Sequence, residues 1–302
     1  MVTGRESSWL ALPPYAPHGP PAGGGRFLMG PRISALFLLV IASGCSLVSL
    51  SGLTGDAGPP DASSEGPDAE AGVAKGYRAE VLADTPVAYW RFGEASGKTA
   101  VDSSGHGNDA TYQGGITLGA PGALAGDSDT AATFDGTSGF VTAGDLFAFS
   151  GQTAFSLEAW VSVQPQSSYV GVITRDDAVG GPPSEGFLLF VDPSDGPFGF
   201  QRLDGPNTST AASVASPAAS GFTYVVATFD GLELVVYVNG ESQGSQTASF
   251  PIVGAVADFV VGAETGGADH FFAGTLDEVA VYDHALLAER VAKHYLVGLN
   301  SP

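Results

Sequence analysis

Residues 222–246, FTYVVATFDGLELVVYVNGESQGSQ, decide the fold. Two runs of β-branched and aromatic residues flank Asp230-Gly231, and a third, more polar segment follows Asn239-Gly240. Asp-Gly and Asn-Gly supply the positive φ angles of tight hairpin turns, so the strands before, between and after them should form an antiparallel meander. Outward from this stretch the same pattern recurs: VAYWRF from 87, FSLEAWVSV from 155, YVGVIT from 169, GFLLFV from 186, DFVVG from 258 and GTLDEVAVY from 274. Each run is bounded by Gly, Asp, Asn or Pro, and many short strands at such spacing predict an all-β domain built as a two-sheet antiparallel sandwich. An amphipathic turn at Tyr77 to Ala83 opens the domain. A short C-terminal helix from Leu286 to Tyr295 closes it, with Leu287, Val291 and Tyr295 spaced to face inward.

Composition agrees with a packed core. The 302 residues are 44% hydrophobic and include 18 Phe, 9 Tyr and 3 Trp, too much aromatic surface for a disordered chain. A single Cys excludes an intramolecular disulfide, a Cys-rich zinc site and an iron–sulfur cluster. The formal net charge of −21 repels a phosphate backbone, so nucleic acid is excluded as a partner. Such a surface suits solubility first, and it also suits contact with calcium or neutral sugars.

The N-terminal quarter reads as processing and tether. The apolar run ISALFLLVIA, residues 33–42, follows Arg32 and is shorter than the roughly 20 residues that span a bilayer. It is the core of a signal peptide. Met29-Gly30-Pro31-Arg32 makes a compact signal start, so residues 1–28 are read as an upstream extension with translation beginning at Met29, and residues 29–44 as the signal peptide. Ala42-Ser43-Gly44-Cys45 resembles the lipobox of bacterial lipoproteins, and that resemblance implies lipidation of Cys45. Residues 45–76 then form a flexible acidic linker, with almost no large apolar side chain to offset the entropy of ordering. Ser46 follows the Cys where, in that family, an Asp would signal inner-membrane retention. The expected location is the cell envelope at the outer membrane, touching the bilayer through the lipid anchor only. The alternative is a secreted protein.

Four ordered motifs in the body carry a second resemblance: Asp84-Thr85-Pro86-Val87-Ala88-Tyr89-Trp90-Arg91-Phe92-Gly93-Glu94, Asp102-Ser103-Ser104-Gly105-His106-Gly107-Asn108, Phe155-Ser156-Leu157-Glu158-Ala159-Trp160-Val161, and Gly274-Thr275-Leu276-Asp277-Glu278-Val279-Ala280-Val281-Tyr282. Together with the terminal helix, the domain at 77–302 resembles the laminin-G-like jelly roll of the concanavalin A-like lectin and glucanase superfamily. That superfamily hosts lectins, hydrolases and adhesion modules, so the resemblance implies a fold and leaves function to the site.

Catalytic signals are weak. A retaining glucanase needs two carboxylates on one face, about 5 to 5.5 Å apart. Asp277 and Glu278 are neighbours on an expected strand, so their side chains should point to opposite faces. In the laminarinase-type enzymes of the superfamily Glu, Asp and Glu alternate, and here Thr275 and Val279 stand in the two Glu places. Gly240-Glu241-Ser242-Gln243-Gly244 matches the nucleophile-elbow pattern by letter, but it follows a hairpin rather than opening a helix. None of the five His residues lies in a His-Glu-x-x-His array.

Two binding sites are candidates. In the loop from Asp102 to Asn108, Asp102, the Gly105 carbonyl and Asn108 offer oxygen ligands suited to calcium. The jelly-roll resemblance adds Asp277 of the late strand as a partner for that ion. The competing reading is a turn capped by its own side chains. On the strand from 155, Phe155, Leu157, Ala159, Val161 and Val163 share one face and Ser156, Glu158, Trp160 and Ser162 the other. Trp160 beside Glu158 is either a sugar-stacking platform with a polar handle or buried core, as Trp90 should be. The loops from Asp176 to Ser184 and from Asp192 to Pro197 are further places for a binding surface. The function expected is a non-catalytic, surface-anchored module that binds a carbohydrate or glycoconjugate, with calcium as a possible cofactor. The alternative is a structural or adhesion domain that contacts envelope or extracellular proteins, and a glycoside hydrolase is a remote third.

Overall fold

A computed structural model describes residues 76–177, 184–193, 196–252, 255–264 and 266–300. The upstream extension, the signal peptide, Cys45 and the linker up to residue 75 lie outside the described residues. Helix α1 (Tyr77–Ala83) leads into β1 (Ala88–Trp90), β2 (Thr99–Ala100), β3 (Ala110–Gln113), β4 (Ile116–Pro121), β5 (Thr130–Asp135) and β6 (Phe140–Gly144). There follow β7 (Phe155–Val163), β8 (Val170–Asp176), β9 (Ser184–Val191), β10 (Phe198–Gly205) and β11 (Asn207–Ala212). The chain ends with β12 (Thr223–Phe229), β13 (Glu233–Val238), β14 (Glu241–Thr247), β15 (Phe259–Val261), β16 (Ala273–Tyr282) and α2 (Ala288–Leu299). No described helix is long and apolar enough to cross a membrane.

The expected meander is present. β12, β13 and β14 pair antiparallel through turns in which Gly231 (φ 102°), Asn239 (φ 52°) and Gly240 (φ 81°) take the left-handed angles that the two Gly-containing pairs were read to supply. They extend one antiparallel sheet in the order β14-β13-β12-β7-β16-β5-β4, with β1 beside the second half of β16. The other sheet runs β11-β10-β9-β8-β15-β6-β3-β2. Two antiparallel sheets face to face, with connections that cross from one to the other, make the jelly-roll sandwich expected of the sequence.

Between the sheets lies a core rich in phenylalanine. Phe155, Phe187, Phe200 and Phe229 pack in tilted and edge-on pairs with centroids 4.6 to 6.1 Å apart, within the preferred range for aromatic contacts. Trp90 is fully buried there, as its place in the sequence suggested. Arg202 is buried as well, its guanidinium 3.8 Å from the Phe229 ring centre and its Nη2 donating to the Gly151 carbonyl at 2.8 Å. Burial pulls its pKa down to about 10, against the charge of Asp204.

The first sheet also buries its outer face. Strand β7 alternates as expected, with Phe155, Leu157, Ala159 and Val161 toward the inter-sheet core and Trp160 in a second cluster with Tyr77, Val81, Tyr89, Tyr224, Tyr282 and Val291. Helices α1 and α2 lie on this outer face. The expected inward residues of α2 need one correction: Val291 is buried and Tyr295 packs on Trp160 and Tyr224, but Leu287 is 62% exposed, and His294 and Gly298 are the further buried positions. Leu287 is the extended N-cap residue (φ −71°, ψ 146°), one position before helical phase begins.

A second correction concerns Asp277 and Glu278. Glu278 has φ 53°, and the pairing of β16 with β7 slips between Asp277 and Ala280. Such a bulge inserts one residue and breaks the in–out alternation. Asp277 lies opposite Trp160 and Ala280 opposite Glu158, both outer-face positions, while Leu276 and Val279 belong to the inner core. Glu278 reaches the Tyr89 hydroxyl on that outer side, so the two carboxylates share a face rather than oppose each other.

Candidate functional site

Four carboxylate centres deserve comparison, since what each touches determines what it can do. The first is Glu158, fully buried beneath α1 and α2. Its Oε1 accepts from the Tyr77 hydroxyl (2.6 Å) and the Tyr224 hydroxyl (2.8 Å), and its Oε2 from the Tyr282 hydroxyl (2.6 Å). His294 Nδ1 lies 3.1 and 3.2 Å from the two oxygens, and its Nε2 lies 2.8 Å from Asp84 Oδ2. Arg290 in turn pairs with Asp84 and Glu80, which ties α2 to the end of α1. Burial alone would raise the Glu158 pKa, but the His294 charge and hydrogen bonds from His294, Tyr282 and Tyr77 bring it below the ordinary carboxylate value. Trp160 is only 3% exposed. The expectation of a sugar platform at Glu158 and Trp160 is therefore corrected: the helices cover both, and the carboxylate serves as the knot that holds them down.

The second centre is Asp277 with Glu278, also buried. Glu278 Oε1 accepts from Arg91 Nε (2.9 Å) and Nη2 (2.7 Å), and Arg91 continues to Asp127 and Asp129. Asp277 Oδ2 accepts from the Ala123 N–H at 2.7 Å, and its Oδ1 is buried with no hydrogen-bond partner. Burial and the adjoining Glu278 charge raise the Asp277 pKa, and burial raises that of Glu278 against the pull of Arg91. Sharing a face brings the pair nearer to glycosidase geometry than alternation allowed, but neither carboxylate reaches solvent to meet a substrate.

The third centre is Asp102. Its Oδ1 accepts from the N–H groups of Tyr89 (3.0 Å) and Ser104 (2.8 Å), and its Oδ2 from the Ser104 hydroxyl (2.8 Å) and the Asn108 N–H (3.0 Å). Burial opposes this charge, yet the hydrogen bonds from Ser104, Tyr89 and Asn108 outweigh it and lower the pKa. Asn108 spends its side-chain amide on the Val87 carbonyl (2.7 Å), and Gly105 provides a left-handed turn residue (φ 91°). Asp277 shares no hydrogen-bond partner with this loop among the described residues. With its lone pairs engaged by four donors, Asp102 does not fit a calcium sphere with Gly105, Asn108 and Asp277; it caps its own turn.

The fourth centre lies open to solvent. A cleft of about 620 Å³ is lined by Asp135, Gly136 and Thr137 at the end of β5, by residues 165–168 between β7 and β8, and by Ala268 to Phe271 before β16. Three segments far apart in sequence meet there. Gln166 braces the middle one by donating Nε2 to the Ala273 carbonyl (3.4 Å) and accepting the Ala273 N–H on Oε1 (3.3 Å). Asp135 builds the first: its carboxylate accepts from Thr137, Ser138 and Gly139 at 2.7 to 3.0 Å. Slight burial opposes its charge, but those donors hold its pKa well below the usual carboxylate range, so Asp135 has no proton to give a leaving group.

At one wall of this cleft stands His270, stacked on Tyr169 with ring centres 4.2 Å apart. His270 Nδ1 lies 3.4 Å from Glu264 Oε2 and 3.3 Å from Asp269 Oδ1. Glu264 is 3% exposed and its Oε1 has no hydrogen-bond partner. Burial, with the Asp176 charge, pushes its pKa up to about 8, against a hydrogen bond from Tyr169. None of these rim residues was singled out in the sequence. The only hint was Tyr169 at the head of its strand, while the loops at 176–184 and 192–197, chosen for composition, lie partly outside the described residues.

Comparison with known proteins places this architecture. Domain 4 of an extracellular arabinanase from Geobacillus stearothermophilus, solved with arabinotriose, is 22% identical with a TM-score of 0.54, covering 70% of this chain and 98% of that one. The binding domain of botulinum neurotoxin serotype G is 11% identical (TM-score 0.53), with 70% of this chain and 51% of that one covered. A Trypanosoma rangeli sialidase in complex with 2,3-difluorosialic acid is 17% identical (TM-score 0.51), covering 70% of this chain and 32% of that one. No curated protein matches by sequence. The profile of the laminin-G group matches residues 135–292, from the first cleft loop through β16 into α2. Half the chain thus carries the family's pattern, and the protein belongs to the concanavalin A-like lectin/glucanases superfamily.

Proposed function

We propose that this chain is a non-catalytic binding module that takes a carbohydrate or glycoconjugate in the rim cleft, displayed on the cell envelope by a lipid on Cys45. The observation that carries the reading is the cleft itself: an open, preformed hollow lined both by polar groups (Ser167, Ser168, Asp269) and by the rings of His270 and Phe271. Hydroxyls of a sugar meet the former and the apolar face of a pyranose or furanose the latter. The buried carboxylate pair at Asp277 and Glu278 sits away from solvent, and Asp135 in the cleft stays ionised, so none of the three supplies the acid that cleavage of a bound sugar needs. A net charge of −21 favours neutral glycans over anionic ones. The arabinotriose held by one relative of the same fold is consistent with this as an analogy of fold only.

The test is an array of neutral and acidic glycans probed with the full chain. Binding to a restricted set of neutral oligosaccharides, with no release of reducing ends, is the expected result. Silence across the array would favour the adhesion reading, in which the same rim meets an envelope or matrix protein, and cleavage of the bound glycan would favour a hydrolase.

A further inference from the structure

The geometry points to a zinc-class divalent metal site formed by Glu264, Asp269 and His270 in the wall of the cleft. One donor atom from each lies within 4.8 Å of the other two. The spacing is informative beyond proximity. Tetrahedral ligands at bond lengths of 2.0 to 2.1 Å stand about 3.3 Å apart. His270 Nδ1 stands 3.3 Å from Asp269 Oδ1 and 3.4 Å from Glu264 Oε2.

A second observation is independent of that spacing. Glu264 is buried, yet its Oε1 has no partner, and His270 Nδ1 makes no well-directed hydrogen bond to either neighbouring carboxylate. Leaving a buried acceptor unsatisfied is costly unless something else occupies the space beside it. The backbone also holds the donors in place. The Glu264 N–H donates to the Asp269 carbonyl (3.0 Å), the Gly267 N–H returns to the Glu264 carbonyl (2.8 Å), and the Gly171 N–H fixes the His270 carbonyl (3.1 Å). His270 sits at φ 46°, a left-handed angle that a non-glycine residue adopts at a cost, and its ring is clamped by Tyr169. His270 is thus held with Nδ1 within 3.4 Å of both carboxylates.

One imidazole and two carboxylates suit zinc and its neighbours, whereas calcium prefers six or more oxygens. Three protein donors leave a fourth position. Asp269 and His270 both line the cleft, so that position is available to water or to a ligand entering there. The site stands whether or not a sugar occupies the cleft.

The test uses the full chain, stripped of metal by a chelator and dialysed against zinc chloride. One equivalent of zinc should be retained, with a rise in melting temperature of about 5 to 10 °C at a hundredfold excess over Kd. Calcium should give no such rise through these residues. Cobalt in place of zinc should give the intense visible absorption of a tetrahedral site. His270→Asn, chosen because Asn tolerates left-handed backbone, and Glu264→Gln should each abolish the retained equivalent and the cobalt spectrum while the metal-free chains keep their circular dichroism. No retained zinc, or zinc retained undiminished by both variants, would overturn the assignment.

Discussion

Glu158 and Glu264 are both glutamates buried in the same domain, and they are opposites. Glu158 is surrounded by three tyrosine hydroxyls and His294, and its pKa falls despite full burial. Glu264 has an oxygen with no partner, and its pKa rises to about 8. The lesson is that burial alone does not set the state of a carboxylate; the donors and charges around it do. Both oxygens of Glu158 are engaged, and the group fastens two helices to a sheet. At the cleft wall the protein leaves a vacancy in its hydrogen bonding, where it also strains its backbone.

The contrast can be broken most forcefully at Glu158. Glu158→Ala leaves His294 and the tyrosine hydroxyls buried without their acceptor, and the expected loss in chemical denaturation is about 3 to 5 kcal/mol. A loss under about 1 kcal/mol would mean that the helices are held by apolar packing alone.

The pH dependence separates the two glutamates next. The lowered Glu158 pKa contributes stability that is present above the ordinary value of 4.5 and lost as pH falls through the folded value. His294, raised from 6.5 by Glu158 against the effect of burial, contributes stability that is full below 6.5 and lost as pH rises through its folded value. The knot should therefore be firmest between about pH 4.5 and 6.5. In His294→Gln the decline on the alkaline side of that window should shrink, as read by denaturation midpoints across pH.

Glu264 should behave in the opposite sense. Its folded pKa of about 8 exceeds the ordinary 4.5, so its contribution is adverse once pH passes 4.5 and grows until about 8. In metal-free protein at pH 8, Glu264→Gln should gain about 1 to 2 kcal/mol, measured by urea unfolding, where the same change at Glu158 loses stability. Equal signs at the two sites would dissolve the comparison. The smallest expected effect sharpens the boundary of the covered face: Leu287→Ala, at an exposed N-cap position where neither residue caps the helix, should change stability by less than about 0.5 kcal/mol.

What the sequence disclosed divides along physical lines. The meander from 222 to 246 and helix α1 were legible because turn chemistry and amphipathic period are local signals. The strands between Thr99 and Gly144, and β10 and β11, were not: segments such as ITLGAP and NTSTAA lack long β-branched or aromatic runs and are strands because neighbours pair with them. The bulge at Glu278 escaped because nothing in a Glu announces a positive φ, and with it went the inference that Asp277 faces the other way. The two faces of β7 were read correctly, yet the fate of Glu158 and Trp160 depended on where α1 and α2 came to rest. The cleft was least visible of all, since it is assembled from three loops separated by up to 130 residues or so in the chain and carries no spacing signature.

The central claim is that the rim cleft, and not the helix-covered face, takes a glycan. Affinity of the full chain for its best array oligosaccharide, compared with that of Phe271→Ala, tests it most directly. Phe271 is half-buried in the cleft wall and makes one tilted contact with Phe140, 6.3 Å between centres, so its loss should leave the melting temperature nearly unchanged. Removing that ring face should weaken binding about tenfold, equivalent to 1.4 kcal/mol. Unchanged affinity in a folded Phe271→Ala chain would place the sugar elsewhere and contradict the account.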